Sequence, residues 1–216
     1  MVSNDVLEEI GIEDKEKDVV RAVFHPEYSY GDFIGKVMPI TNSKGSIEYN
    51  YYAGHFLKAV GKAYSKIIED NVSGREVALI IDEINRGNSS SIFGNAFQLL
   101  DRGKNGWSEN SIDISDLEFG KLMEISGIKR TTENDGTPIF KYGGSRHPSD
   151  EVNKLLRKKG IKIAKNKMSI PDNLSILATI NTSDSSVFYM DNAFKRRWNW
   201  QDGTTKSNTT RREGIA

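Results

Sequence analysis

The run Val77-Ala78-Leu79-Ile80-Ile81 leads straight into Asp82-Glu83, and no other stretch constrains the fold as much. Five consecutive apolar residues with no alternation specify a strand covered on both faces, as in the centre of a parallel sheet. Two carboxylates inside such a strand would be costly to desolvate, so they belong where it emerges. In open α/β sheets the carboxyl edge of the strands is where ligands bind. An Asp and a Glu there suit a nucleotide-hydrolysis site, in which the Asp holds Mg²⁺ and the Glu prepares a water.

Composition narrows the class. At 216 residues the chain is sized for one domain or a domain with an appendage. Lys+Arg and Asp+Glu both number 30, so any nucleic-acid contact requires a local basic patch. With no cysteine, disulfides and thiolate zinc sites are excluded, and a reducing cytoplasm is the expected location. No apolar run approaches the roughly 20 residues of a membrane span, and Met1-Val2-Ser3-Asn4-Asp5 is unlike a secretion signal.

Three regions are read along the chain. Residues 1–18 form a charged arm or short helix. Residues 19–202 form an α/β core. It contains a strand at Val19–Phe24, a hairpin over Val37–Tyr52 turning at Asn42-Ser43-Lys44-Gly45, and a helix over His55–Glu69. The strand at 77 follows, then a helix over Ser89–Leu100. Residues 101–170 are rich in Gly, Asn, Lys and Ser and read as an inserted hairpin or loop region, with a helix over Asp150–Lys159. A second apolar strand, Leu174-Ser175-Ile176-Leu177-Ala178-Thr179-Ile180, ends at Asn181. A short helix over Ser186–Phe194 precedes Lys195-Arg196-Arg197-Trp198. The tail over 203–216 has almost no apolar content and reads as disordered.

If the strands at 77 and 174 are parallel neighbours, Asp82-Glu83 and Asn181-Thr182-Ser183-Asp184 share one edge. Asn181 could then orient a water that Glu83 polarises, and Arg196 or Arg197 could neutralise charge on a transferring phosphoryl group held by a neighbouring subunit. Plainer readings compete. Arg196-Arg197 alone read as solvated charges. The basic run Lys154, Arg157, Lys158, Lys159, Lys162, Lys165, Lys167 reads as a solvated face, with DNA or partner contact as the alternative. The aromatics Tyr28, Tyr30, Phe33, Tyr49, Tyr51 and Tyr52 read as packing before base stacking. His25, His55 and His147 lack partners at metal-ligand spacing.

The stretch Ile81-Asp82-Glu83-Ile84-Asn85-Arg86-Gly87-Asn88 with Phe93-Gly94 resembles the Walker B region of McrB-type AAA+ NTPases, the motor subunits of modification-dependent restriction systems. Three other segments resemble that family in the same order: Phe24-His25-Pro26-Glu27-Tyr28-Ser29-Tyr30-Gly31-Asp32-Phe33-Ile34, Ile180-Asn181-Thr182-Ser183-Asp184, and Met190-Asp191-Asn192-Ala193-Phe194-Lys195-Arg196-Arg197-Trp198. The resemblance covers about residues 19–201. It implies a partial AAA+ (P-loop NTPase-type) parallel sheet sandwiched by helices, using Mg²⁺ with ATP or GTP in a ring of like subunits. It also implies an endonuclease partner, with DNA engaged indirectly through other domains. Under it Asp82 is the Mg²⁺-side acid, Glu83 the catalytic base, Asn181 the sensor and Arg196 or Arg197 the trans-acting arginine. Arg86 matches an arginine of the family motif near the nucleotide.

The chain also departs from the family pattern. A P-loop needs Gly-x-x-x-x-Gly-Lys-[Ser/Thr]. The pairs Gly35-Lys36, Gly61-Lys62, Gly103-Lys104 and Gly120-Lys121 all lack that spacing and the following hydroxyl residue. The family's small helical lid is not recognisable after Trp200, and Ser185 stands where the family signature has Arg. The expectation is an interior segment of a motor: a truncated or split gene product, or a degenerate paralogue. A non-catalytic subunit that needs an upstream polypeptide for nucleotide binding is the alternative. A metal-dependent nuclease is the weakest reading, because the third acid and the Lys of an Asp…Glu-x-Lys pattern are missing.

Overall fold

The computed structural model describes residues 2, 4–69, 75–133, 135–161, 166–181, 187–204 and 210–215, with backbone alone from 202 onward. The first half holds α1 (Asn4–Glu9), β1 (Val19–Val23), α2 (Tyr30–Phe33), β2 (Gly35–Thr41), β3 (Ile47–Ala53), α3 (His55–Ile68), β4 (Val77–Asp82) and α4 (Ser89–Phe93). The second holds β5 (Ile112–Asp113), α5 (Asp116–Ile125), β6 (Lys129–Thr132), β7 (Pro138–Tyr142), β8 (Ser145–Pro148), α6 (Ser149–Lys158) and β9 (Lys167–Met168). It closes with β10 (Leu174–Asn181), α7 (Asn192–Lys195), β11 (Asn199–Thr204) and β12 (Thr210–Ile215).

The main sheet has the order β1-β4-β10-β12-β11. β4 pairs parallel with β1 on one side and with β10 on the other. Because side chains alternate along a strand, the unbroken apolar run of β4 feeds two layers. Val77, Leu79 and Ile81 enter the larger core with Phe56, Val60 and Tyr64 of α3. Ala78 and Ile80 face the other way and pack, with Leu177 of β10, against Val2, Leu7 and Ile12. The charged N-terminal residues therefore supply the second cover of the sheet through a few apolar side chains. Fully burying a Leu or Ile stabilises by about 1.5–3 kcal/mol each, so even this thin layer matters.

α3 buries the stripe read from its sequence, with Phe56, Leu57, Val60, Tyr64, Ile67 and Ile68 all below a tenth exposed. Gly61 lets α5 approach: a Cβ there would lie 2.6 Å from a methyl of Ile125. Tyr64 donates to the carbonyl of Ser169 and accepts from its N–H, tying α3 to the segment that leads into β10.

Several elements differ from the sequence reading. The helix read over Ser89–Leu100 stops at Phe93 and continues as a 3-10 helix over Gly94–Leu100. Gly94 sits at φ 51, with the Tyr30 ring against it. The helix read from Ser186 is only α7, because the Asp191 side chain accepts from the Phe194 N–H and caps it there; Ser186 itself lies outside the described residues. Residues 101–170 hold structure of their own: α5 on α3, the pair β5-β9, and an antiparallel meander β6-β7-β8 flanked by α6. The tail read as disordered carries extended backbone over 210–215, antiparallel to β10 and β11; 205–209 lie outside the described residues. Residues 70–74, which follow the helix read over His55–Glu69, also lie outside them. Among the described residues no helix is long and apolar enough to cross a membrane.

The two-sided covering of β4 makes a direct prediction. Leu7 is 1% exposed. Leu7→Ala should lower stability by about 2–3 kcal/mol, seen as a lower urea midpoint with unchanged slope. A loss under about 0.5 kcal/mol, typical of a surface site, would show that the first residues are a detached arm.

Candidate functional site

Parallel pairing brings the ends of β4 and β10 to one edge. The last register pair is Ile81 with Ala178, so the next residues, Asp82 and Thr179, stand side by side. Thr179, 3% exposed, is the link between them. Its Oγ1 donates to Asp82 Oδ1 at 3.1 Å and accepts from the Glu83 N–H at 3.2 Å. One hydroxyl thus fixes the Asp82 rotamer and the backbone that turns out of the strand. The second Asp82 oxygen lies 3.8 Å from Arg21 Nη1, on β1.

Glu83 is left-handed, at φ 58 and ψ 45. A non-glycine residue there costs of order 1 kcal/mol and needs the surroundings to hold it. The Thr179 hydrogen bond holds it from one side, and the following 3-10 turn holds it from the other through Arg86 N–H to the Glu83 carbonyl at 2.8 Å. The Glu83 Oε2 is buried and has no hydrogen-bond partner.

Asn85 is the second anchor. It is 5% exposed, and its Nδ2 donates to the Asn181 carbonyl at 2.9 Å. Its own carbonyl accepts from the Phe188 N–H at 2.8 Å. Its Oδ1 is buried without a partner. Two acceptors, from Glu83 and Asn85, are therefore buried and unsatisfied in the same short turn. Such groups are rare in native proteins because each costs about 1–3 kcal/mol.

Beside this turn lies a cleft of about 760 Å³, lined by Asn85, Ile180, Phe188, Met190, Arg196 and Trp200 among others. Lys195 stands over the Tyr189 ring at 5.2 Å on the same wall. The cleft is mainly apolar with a cationic rim.

The residues singled out from sequence divide into groups. Asp82, Glu83 and Asn181 are brought to one edge, and Asn181 is tied through its backbone to Asn85. Arg86 sits in the same turn and is exposed. Arg196 is exposed on the cleft rim. Arg197 turns the other way. It pairs with Asp101 at 2.7 Å, donates to the Ala193 carbonyl, and stacks over Phe97 at 4.0 Å. Thr182, Ser183, Asp184 and Ser185 lie outside the described residues, as do Lys162 and Lys165. His55 pairs with the Tyr28 hydroxyl and His147 with Glu151. Among the described residues no cluster of three or more His, Asp or Glu could hold a metal.

Sequence reasoning missed Thr179 and gave Asn85 no role. Thr179 is hidden by its β-forming character inside an apolar strand. The available signal was a polar residue at an inward position, at the height where the neighbouring strand meets its carboxylates.

No family model matches the chain. The chain is similar to the type II restriction enzyme BsuMI component YdiS of Bacillus subtilis (strain 168), at 30% identity over 202 residues, 84% of this chain and 47% of that protein. The chain spans about half the length of the curated relative it matches.

The two adjacent arginines should behave differently. Arg197 is 9% exposed in its side chain and carries an ion pair, so Arg197→Ala should cost about 2–3 kcal/mol of stability. Arg196→Ala should stay within about 0.5 kcal/mol. Thermal unfolding of both variants checks this; equal effects would contradict the assignment.

Proposed function

We propose that this chain forms the hydrolysis edge of a McrB-like AAA+ nucleotide motor, acting in a restriction-type DNA-processing complex. The observation that carries the reading is the pair Asp82-Glu83 at the carboxyl edge of a parallel sheet, beside Asn181, with a strained Glu83 whose Oε2 is buried and unpartnered. An acceptor open at this edge can receive a water. The similarity to a restriction enzyme component supports the setting.

One carboxylate at this edge suits Mg²⁺, which takes one or two protein carboxylates together with substrate phosphates. Asp82 is a hard oxygen donor held by Thr179, and it would hold Mg²⁺ directly or through water. Bound Mg²⁺ with ATP or GTP would supply an electrophilic terminal phosphoryl group. Glu83 accepts a proton from a water at its free Oε2. In this reading the Asn85 Oδ1 and the Asn181 side chain would orient that water. Arg86, exposed at the turn, adds positive charge near the acids. Of the two arginines after α7, Arg196 is the one exposed to reach a neighbouring subunit, since Arg197 is engaged within its own chain. Partner subunits in this reading are further AAA+ copies in a ring and an endonuclease subunit.

One sequence fact favours a second reading, in which the chain is a non-catalytic or dependent subunit. None of its four Gly-Lys pairs has phosphate-loop spacing. The phosphate grip must then come from other polypeptide.

Nucleotide binding with Mg²⁺ tests both. The purified chain should bind ATP and GTP no tighter than micromolar, and sub-micromolar binding would contradict the need for an outside loop. With a polypeptide carrying the loop, hydrolysis should appear. Glu83→Gln should then cut turnover by about a hundredfold or more with nucleotide binding intact, and without loss of folding stability. Turnover unchanged by Glu83→Gln would remove Glu83 as the base.

A further inference from the structure

Between residues 128 and 167 the sequence holds eleven Lys and Arg against four Asp and Glu, in a chain whose charges balance overall. Part of this excess is gathered on one rung of a small sheet. In the meander β6-β7-β8, register sets Lys129 opposite Lys141 and Lys141 opposite Arg146. Directly opposed residues share a face. All three are exposed, and among the described residues none of them makes an ion pair. The adjacent rung, Arg130, Phe140 and His147, faces the other way; there Phe140 is 7% exposed and joins Val152 and Leu156 of α6 in the core. The cationic rung therefore lies on the face turned away from α6.

The fold does not account for this arrangement. Like charges directly opposite one another destabilise a sheet. Lys154, Arg157 and Lys158 are different: they lie on the outer side of α6 in its C-terminal half, where the helix dipole favours cations. A rung of three exposed cations that make no ion pair among the described residues is suited to a polyanion from outside.

We propose that the Lys129–Lys141–Arg146 rung is a docking site for the phosphate backbone of duplex DNA, contacted by this chain itself. The choice of DNA among polyanions rests on the restriction-system reading above. Strands lie about 4.8 Å apart, so the rung spans about 10 Å, and flexible stems let its cations reach successive phosphates. Glu133 and Asp135 line the same groove as Lys141 and Arg146. Glu133 is four residues from Lys129, about 13 Å along the strand, more than the roughly 8 Å Debye length at physiological salt. These acids steer the duplex to the cationic end without cancelling it.

The test is anisotropy of a labelled duplex of about two helical turns, titrated with the full chain without nucleotide over a range of salt. Lys129→Gln/Lys141→Gln/Arg146→Gln should weaken binding at least tenfold and reduce the slope of log K against log salt by about 2–3, near 0.9 per phosphate contact. The same variant should melt at the same temperature or higher, since it removes like-charge pairs. Lys141→Gln alone should take about one unit from the slope, which keeps the test readable if the triple variant fails to fold. Lys154→Gln/Arg157→Gln/Lys158→Gln should move the slope by less than one. No duplex binding by the unsubstituted chain at about 50 mM salt would overturn the proposal. So would an unchanged slope in the sheet variants, or tighter binding of RNA or polyglutamate than of the duplex. Because binding is read without nucleotide, failure here and failure of Glu83→Gln to stop hydrolysis are separate results.

Discussion

The hydroxyl of Thr179 connects the two strands at the point where the chemistry is proposed. It reaches Asp82 and the Glu83 backbone together, and it can do so only because β10 runs parallel to β4 in this register. A one-residue slip would turn Thr179 to the opposite face and leave both groups without a partner. The register is in turn fixed by the two-sided burial of β4, whose alternate residues fill two different cores. Core packing thus decides where two carboxylates stand.

The surroundings of that pair balance strain and satisfaction. Glu83 is left-handed, and the chain leaves it so by bracing the turn from Thr179, from the 3-10 hydrogen bond at Arg86 and from the Asn85–Asn181 contact. Two buried acceptors remain unpaired. An acceptor open beside a strained strand exit can receive a water or a ligand atom. On the other side of the motif, Arg197 is engaged by Asp101, Ala193 and Phe97 through its terminal nitrogens and guanidinium face, with only its buried Nε left unpaired, and it fastens α7 to the segment that follows the 3-10 helix.

Much of this was legible in the residues. The apolar run into Asp82-Glu83 specified a buried strand and its exit, and the second run ending at Asn181 specified the neighbour. The hairpin at Asn42–Gly45 and the stripe of α3 followed from turn chemistry and helical spacing. Other features depend on contacts that no local pattern encodes. Gly94 breaks a helix that its apolar residues would continue, because a left-handed backbone there meets Tyr30. The N-terminal residues read as a charged arm or short helix, yet Val2, Leu7 and Ile12, with Val6 and Ile10 beside them, cap a sheet face. Arg196 and Arg197 are identical in composition, and only the tertiary position of Asp101 separates them. The meander at 129–148 consists of strands of four or five residues joined by Gly-containing turns, so its period was too brief to read, and its cationic rung exists only in the cross-strand register.

The central claim is that Thr179 couples the end of β10 to the acid at the end of β4. A double-mutant cycle of Thr179→Val and Asp82→Asn, read by urea unfolding, measures that coupling directly. The account predicts an interaction energy of about 1–2 kcal/mol, as for a buried hydrogen bond to a charged group. Effects that add within about 0.3 kcal/mol would contradict it and separate the two strand ends on which the functional reading stands.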